Sequence, residues 1–216
     1  MSDTKEELMG SAERLFAERG FAGVGIREIA RAAGANTAAV NYHFESKENL
    51  WLEIMRRRAG PVNAERFRRL GEAKARAGGD PLSLGVITDA LIGPVVDVLI
   101  DEKGEPDQLS IRLMTRLMVE TPMLFREELL EFFAETRDRF AAALAESLPH
   151  CNPPEIQARF FYLVSAMTGL VVQAEMLSGA NDCLPAKAFR EVLLSCVSRT
   201  AAAIESPILA NVRGQP

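Results

Sequence analysis

The chain has 216 residues, 48% of them apolar and 25% charged, with a net charge of −5; this is the usage of a folded globular protein of one or two domains and excludes a disordered chain. Residues 1–58 hold nine Lys/Arg and nine Asp/Glu while residues 59–216 hold sixteen and twenty-one, so a neutral first part precedes an acidic second, which argues against a general polyanion binder but leaves room for a small phosphate-facing surface. Three cysteines, Cys151, Cys183 and Cys196, are too few and too unevenly spaced for a disulfide framework or a Cys-rich zinc site and read as cytosolic thiols, and the polar opening MSDTKEELMG lacks a signal-peptide pattern.

Apolar spacing along the chain is helical and strand-like alternation is hard to find, which predicts an all-α fold. Thr4 and Glu7 form a capping-box pattern, and Leu8, Ala12, Leu15 and Phe16 recur on one face, so a first helix is expected over about 5–19, stopped by Gly20. Ile26, Ile29, Ala30 and Ala33 make a short second apolar face; Gly34 breaks it, and Asn36 is a suitable N-cap for a third helix reaching about His43. Ser46 then caps a fourth, with Leu50, Trp51, Ile54 and Met55 as its buried stripe and Arg56, Arg57 and Arg58 as a solvated basic end. Gly60-Pro61 and Gly78-Gly79-Asp80-Pro81 punctuate the chain beyond it, and helices are expected at about 62–77, 82–102, 107–120, 122–148, 154–178 and 185–205, with a frayed tail after Ser206. The apolar run FFYLVSAMTGLVVQAEML at 160–177 is long enough for a membrane span. Ser165, Thr168, Gln173 and Glu175 interrupt it, and no second span exists to pair with it, so it is read as a buried helix of a cytoplasmic protein without membrane contact.

The short third helix raises the functional question. Ala30 allows two helices to cross closely, Gly34 supplies the turn and Val40 anchors the third helix to the core, which is what a helix-turn-helix requires. Thr37, Ala38, Asn41 and Tyr42 are then left facing outward, suited to base edges and phosphates in a B-DNA major groove. On spacing alone, an ordinary solvated face, or Tyr42 and His43 as core packing, remains the alternative.

The stretch FAGVGIREIARAAGANTAAVNYHFESKENLWLEIM, with EELMGSAERLFAERG before it, resembles the DNA-binding domain of the tetracycline-repressor (TetR) family of bacterial transcription regulators, over roughly residues 4–58. The resemblance implies that Asn36 caps the recognition helix, that Thr37, Ala38, Asn41 and Tyr42 face DNA with His43 following, and that Lys47 holds a phosphate. Gly25 stands where the family usually has Ser or Thr, Ala39 where Thr is common, and Asn41 replaces a frequent Tyr. The first two departures remove hydroxyls, although backbone N–H groups at Ile26 and Arg27 can still meet phosphate. Lys47 is otherwise a solvated first-turn residue, and His43 either caps the helix, packs under Phe44 or touches DNA.

The resemblance further implies two domains: a helix-turn-helix domain at 1–58, and an effector-binding and dimerisation domain at 59–216. Such a regulator is expected to repress by binding a near-palindromic double-stranded operator as a homodimer, and to be released by a small, largely apolar effector. Arg112, Arg116 and Glu120 fall at i, i+4, i+8, and Arg159, Tyr162 and Gln173 lie in another apolar helix; all six are candidate effector groups or partners of one another. The dimer contact is expected from the last two helices, through Ala166, Gly169 and Gln173 in one and Leu193, Cys196, Val197, Thr200, Ala201 and Ile204 in the other; the alternative is that these stripes close the chain's own core. The segments RLMTRLMVETPMLFREEL and LPHCNPPEIQARFFYLVSAMTGL resemble the branch of the family that senses fatty acids or acyl thioesters. No enzyme is expected: His43 and His150 belong to no metal or nucleophile pattern, and neither a cofactor loop nor a metal cluster is legible. A helical adaptor would explain the long apolar helices but not the short exposed one.

Overall fold

The helical spacing of the sequence is realised directly. The computed structural model describes residues 2–179 and 186–205, and among these the regular structure is α1 (Ser2–Arg19), α2 (Ile26–Ala32), α3 (Thr37–Phe44), α4 (Lys47–Ala77), α5 (Leu84–Asp97), α6 (Gln108–Leu124), α7 (Arg126–Phe132), α8 (Ala134–Ser147), α9 (Pro153–Gly179) and α10 (Ala186–Glu205), with one isolated bridge between Ile100 and Pro106. Cys183 and the tail expected to fray after Ser206 lie outside the described residues.

Contacts group the chain into two units: Met1–Pro61 with Asp107–Phe132, and Val62–Pro106 with Phe133–Pro216. In the first, Leu8, Ala12 and Phe16 of α1, Ile29 and Ala30 of α2, Val40 and Phe44 of α3, and Leu50, Trp51 and Ile54 of α4 form one buried core. Phe16 and Phe21 meet the Trp51 ring edge-on at 5.0 and 5.4 Å between centroids, and Phe21 meets Phe125 at 5.7 Å. A buried indole N–H needs an acceptor. Thr121 Oγ1 supplies it at 3.0 Å, and one residue earlier Glu120 Oε2 accepts the Phe21 backbone N–H at 2.7 Å. These bonds explain why 107–132 groups with the N-terminal helices and makes this unit larger than the 1–58 segment. The basic end expected to be solvated is partly engaged: Arg57 reaches Glu6 at 2.6 Å, and Arg58 forks onto the buried Glu13, tying α4 to α1.

Three expected helix spans differ, and the one at 82–102 is realised as the shorter α5, Leu84–Asp97. The chain stays helical through Gly60-Pro61, so α4 runs from Lys47 to Ala77 where a break was expected. Proline removes one main-chain bond and crowds the carbonyl four residues earlier, but Met55, Ala59 and Val62 are buried on either side and hold the helix together. The single helix expected at 122–148 is instead divided among the end of α6, α7 and α8: α6 stops at Leu124, and Phe125, with φ −139° and ψ 55°, leaves helical geometry as its ring turns into the cluster with Phe21, while Phe133 separates α7 from α8.

The second unit is built around α5, where Ile87, Thr88, Leu91, Ile92, Val95 and Val96 are buried against α8, α9 and α10. Ser83 caps it, its Oγ accepting from the Val86 N–H. Arg69 of α4 pairs with Glu65 at 2.8 Å and with Asp97 of α5, which also receives Arg190 of α10 at 3.5 Å. Over Pro153–Ser178, α9 is long and apolar enough to cross a membrane by length and composition. Leu163, Val171 and Ala174 are buried, whereas Phe161, Tyr162 and Met176 are exposed, so the helix expected to be buried is buried along one face only.

Candidate nucleic-acid interface

The turn before α3 is fixed by local chemistry. Gly34 has φ +64°, and the hydrogen bonds Ala35 N–H to Ala30 O (2.8 Å) and Gly34 N–H to Arg31 O (3.2 Å) close α2 in a Schellman motif around it. Asn36 then adopts extended geometry, and its Oδ1 accepts the Ala39 N–H at 2.9 Å, capping α3 as its position suggested. Val40 and Phe44 are fully buried, which fixes the rotation of α3. Thr37, Ala38, Asn41 and Tyr42 face solvent, with Tyr42 72% exposed, and Ala39 is half-buried. His43 is half-buried and lies edge-on to the Tyr42 ring at 5.0 Å. The helix ends in a tight γ-turn centred on Glu45, with φ 66°, ψ −44° and a Ser46 N–H to Phe44 O bond of 2.7 Å. Ser46 Oγ then accepts the Asn49 N–H at 3.0 Å and starts α4.

At α2, Gly25 occupies the N-cap without a side-chain bond, and its carbonyl takes the Glu28 and Ile29 N–H groups. Ile26, half-buried, and Arg27, exposed, open that helix. Arg19 pairs with Glu28 at 2.7 Å and holds that carboxyl below its ordinary range. Lys47 is more engaged than its sequence position suggests. Its Nζ donates to Phe21 O at 2.9 Å and Val24 O at 3.0 Å and lies 4.1 Å from the centre of the Phe21 ring. Two of its three N–H donors therefore brace the α1–α2 connection, and one remains.

The six candidate effector groups divide between the units. Arg112 is exposed on α6, and Arg116 pairs with Glu120 at 3.5 Å within the same helix, Glu120 being committed also to Phe21. In the second unit Arg159 is buried and donates Nε to Ile204 O at 3.0 Å, while Tyr162 and Gln173 face solvent on α9. The candidate dimer residues also divide. Gly169 and Gln173 are exposed and Ala166 half-buried on α9; Cys196 is exposed and Thr200 half-buried on α10. Leu193, Val197, Ala201 and Ile204 are buried within the unit, on the face of α10 that packs against α5 and α9, so their side chains are not surface available to another copy. A stripe at helical spacing has the same appearance whether its partner is another chain or the next helix.

Residues not singled out from sequence also matter here. Thr121 and Phe125 complete the core behind the helix-turn-helix, and Arg66 is a buried cation in the second unit. The i, i+3 pair Asn63 and Arg66 beside Val62 was the legible signal for the last.

Comparison with known proteins finds two matching family models: bacterial regulatory proteins, tetR family, over residues 8–54, and tetracyclin repressor-like, C-terminal domain, over residues 89–203. The HTH-type transcriptional repressor AcnR of Corynebacterium glutamicum is 25% identical over 130 residues, which is 60% of this chain and 58% of that protein. The chain spans less than two thirds of the first relatives it matches, 44% in the case of the Shigella flexneri regulator AcrR, which is 30% identical over 101 residues, 47% of this chain. Among solved structures, SmeT, the repressor of the Stenotrophomonas maltophilia multidrug efflux pump SmeDEF, superposes with a TM-score of 0.61 at 21% identity, covering 93% of this chain and 91% of SmeT. This last likeness speaks to the fold.

Proposed function

Because this chain belongs to the tetracycline-repressor family of bacterial regulatory proteins, we propose that it is a cytoplasmic repressor that binds a near-palindromic operator as a homodimer and leaves it when a small effector binds. The observation that carries this reading is α3: two buried anchors, Val40 and Phe44, hold it from behind while Thr37, Ala38, Asn41 and Tyr42 stay exposed. On this reading Asn41 is the base reader, since its amide matches adenine, and Ile26, Arg27, Asn36, His43 and the remaining donor of Lys47 flank the phosphates. One short helix touches too few bases to be selective, so two copies must read half-sites about one DNA turn (~34 Å) apart.

The twofold contact is assigned to the exposed face of α9, around Ala166, Gly169 and Gln173, with Cys196 and Thr200 of α10 beside it. The effector is assigned to the apolar second unit, where it acts by favouring a spacing of the two α3 helices that does not match the groove repeat. A gel-shift titration on the DNA flanking the protein's own gene, with light scattering of the same samples, tests this. Wild type should be a dimer that shifts the fragment, and Gly169→Arg should be a folded monomer that does not. A monomeric wild type that binds the fragment tightly overturns the dimer mechanism.

A further inference from the structure

In the second unit Arg66 is 3% exposed, and the bonds of its guanidinium go to neutral groups: Nε to Leu91 O at 2.8 Å, Nη1 to Asn63 Oδ1 at 2.7 Å and Nη2 to the Met167 thioether at 3.0 Å. Among the described residues no carboxylate lies within ion-pair distance of it, although the neighbouring Arg68 and Arg69 both have acidic partners. A buried charge is strongly unfavourable unless it is paired. Here burial pushes the guanidinium down to about 10, which leaves it charged at neutral pH. Five N–H groups meet three acceptors, one of them a sulfur, which accepts weakly. Met167 therefore stands where a better acceptor would, and its unbranched side chain can move aside.

We propose that Arg66 is the anion anchor of the effector site, and that the effector is a small organic monocarboxylate with an apolar body. The inference rests on the reading that a small molecule binds the second unit and names its chemistry. The fork of Nη1 and Nη2 takes a carboxylate through two parallel bonds once the Met167 thioether withdraws. Asn63 supplies a neutral donor beside it. The single guanidinium balances one negative charge, whereas a phosphate dianion would leave a charge unmatched. The apolar body of the ligand starts beside Leu91 and Met167, the two residues that the guanidinium already touches along with Asn63. Thr88, one turn before Leu91 on α5, buries a hydroxyl without a partner among the described residues and offers a further polar contact.

The test is thermal unfolding of the full chain with octanoate, decanoate, benzoate and phenylacetate, each set against the matching alcohol, in wild type, Arg66→Met and Arg66→Lys. At least one carboxylate, but not its alcohol, should raise the wild-type melting temperature, and its affinity should fall by roughly tenfold or more in Arg66→Met. Arg66→Lys, which keeps the charge but loses the fork, should fall between. The assignment is overturned if no carboxylate stabilises the wild type, or if one stabilises wild type and Arg66→Met alike. Operator release, read on the same proteins, separates the two readings. Release of both proteins by a neutral alcohol keeps the effector reading and removes Arg66 from it, while Arg66-dependent carboxylate binding without release keeps the anchor and removes the effector reading.

Discussion

Replacing Lys47 by Met keeps the aliphatic stem and removes the charge, so it separates two roles of one side chain. The ammonium makes two bonds to main-chain carbonyls, at 2.9 and 3.0 Å, and a ring contact at 4.1 Å. Bonds from a charged donor contribute about 1.5–3 kcal/mol when buried and a ring contact about 0.5–1 kcal/mol. Lys47 is half-exposed, so solvent screening reduces the sum to about 1–3 kcal/mol. For a chain of this size that corresponds to a fall in Tm of roughly 3–10 °C. If the third donor also meets a phosphate, the dependence of operator affinity on salt should flatten by about one unit of slope, equally for specific and random DNA. Thermal unfolding and salt-titrated fluorescence anisotropy read the two effects on one preparation. An unchanged Tm in Lys47→Met would refute the bracing role, and a lowered Tm with an unchanged slope would refute the phosphate contact.

Thr121→Val is nearly isosteric but leaves the buried Trp51 N–H without an acceptor, and should cost about 1–3 kcal/mol by chemical denaturation; in the Trp51→Phe background the same change should be nearly neutral. At Gly34 a Cβ meets open space, so the cost of Gly34→Ala comes from its φ of +64° alone, and should be about 1 kcal/mol in the same assay. Hydrogen bonds from Arg68, then Arg69, hold the Glu65 carboxyl at about 2 against an ordinary 4.5. A depressed carboxylate stabilises the folded state above its unfolded value and loses that contribution as pH falls, so Glu65→Gln should flatten the decline of Tm between pH 4.5 and about 2.

What was legible in the sequence was local. Gly34, Asn36 and Ser46 act within four residues of themselves, so their turn and caps could be read directly, and Val40 against Asn41 fixed which face of α3 is free. What was not legible depended on distant partners. Pro61 signals a break, yet α4 passes through it because buried neighbours hold both flanks. Glu120 keeps the Arg116 partner that the i, i+4 spacing offered, but it also takes the Phe21 N–H, 99 positions away, which no spacing shows. Leu193, Val197, Ala201 and Ile204 had the spacing of a contact stripe, and burial within the unit shows what covers them. Arg66 stood in an arginine-rich run whose other members reach carboxylates.

The central claim is that the exposed face of α3 reads DNA, and it is tested most directly by fluorescence anisotropy of wild type and Asn41→Ala on the operator, on single-base variants of it and on random DNA. Asn41 is exposed, so the variant should fold normally. It should lose discrimination at one base position in each half-site, about 1–3 kcal/mol, while binding random DNA as before. Unchanged affinity and unchanged base preference, in Asn41→Ala and Tyr42→Ala alike, would contradict it.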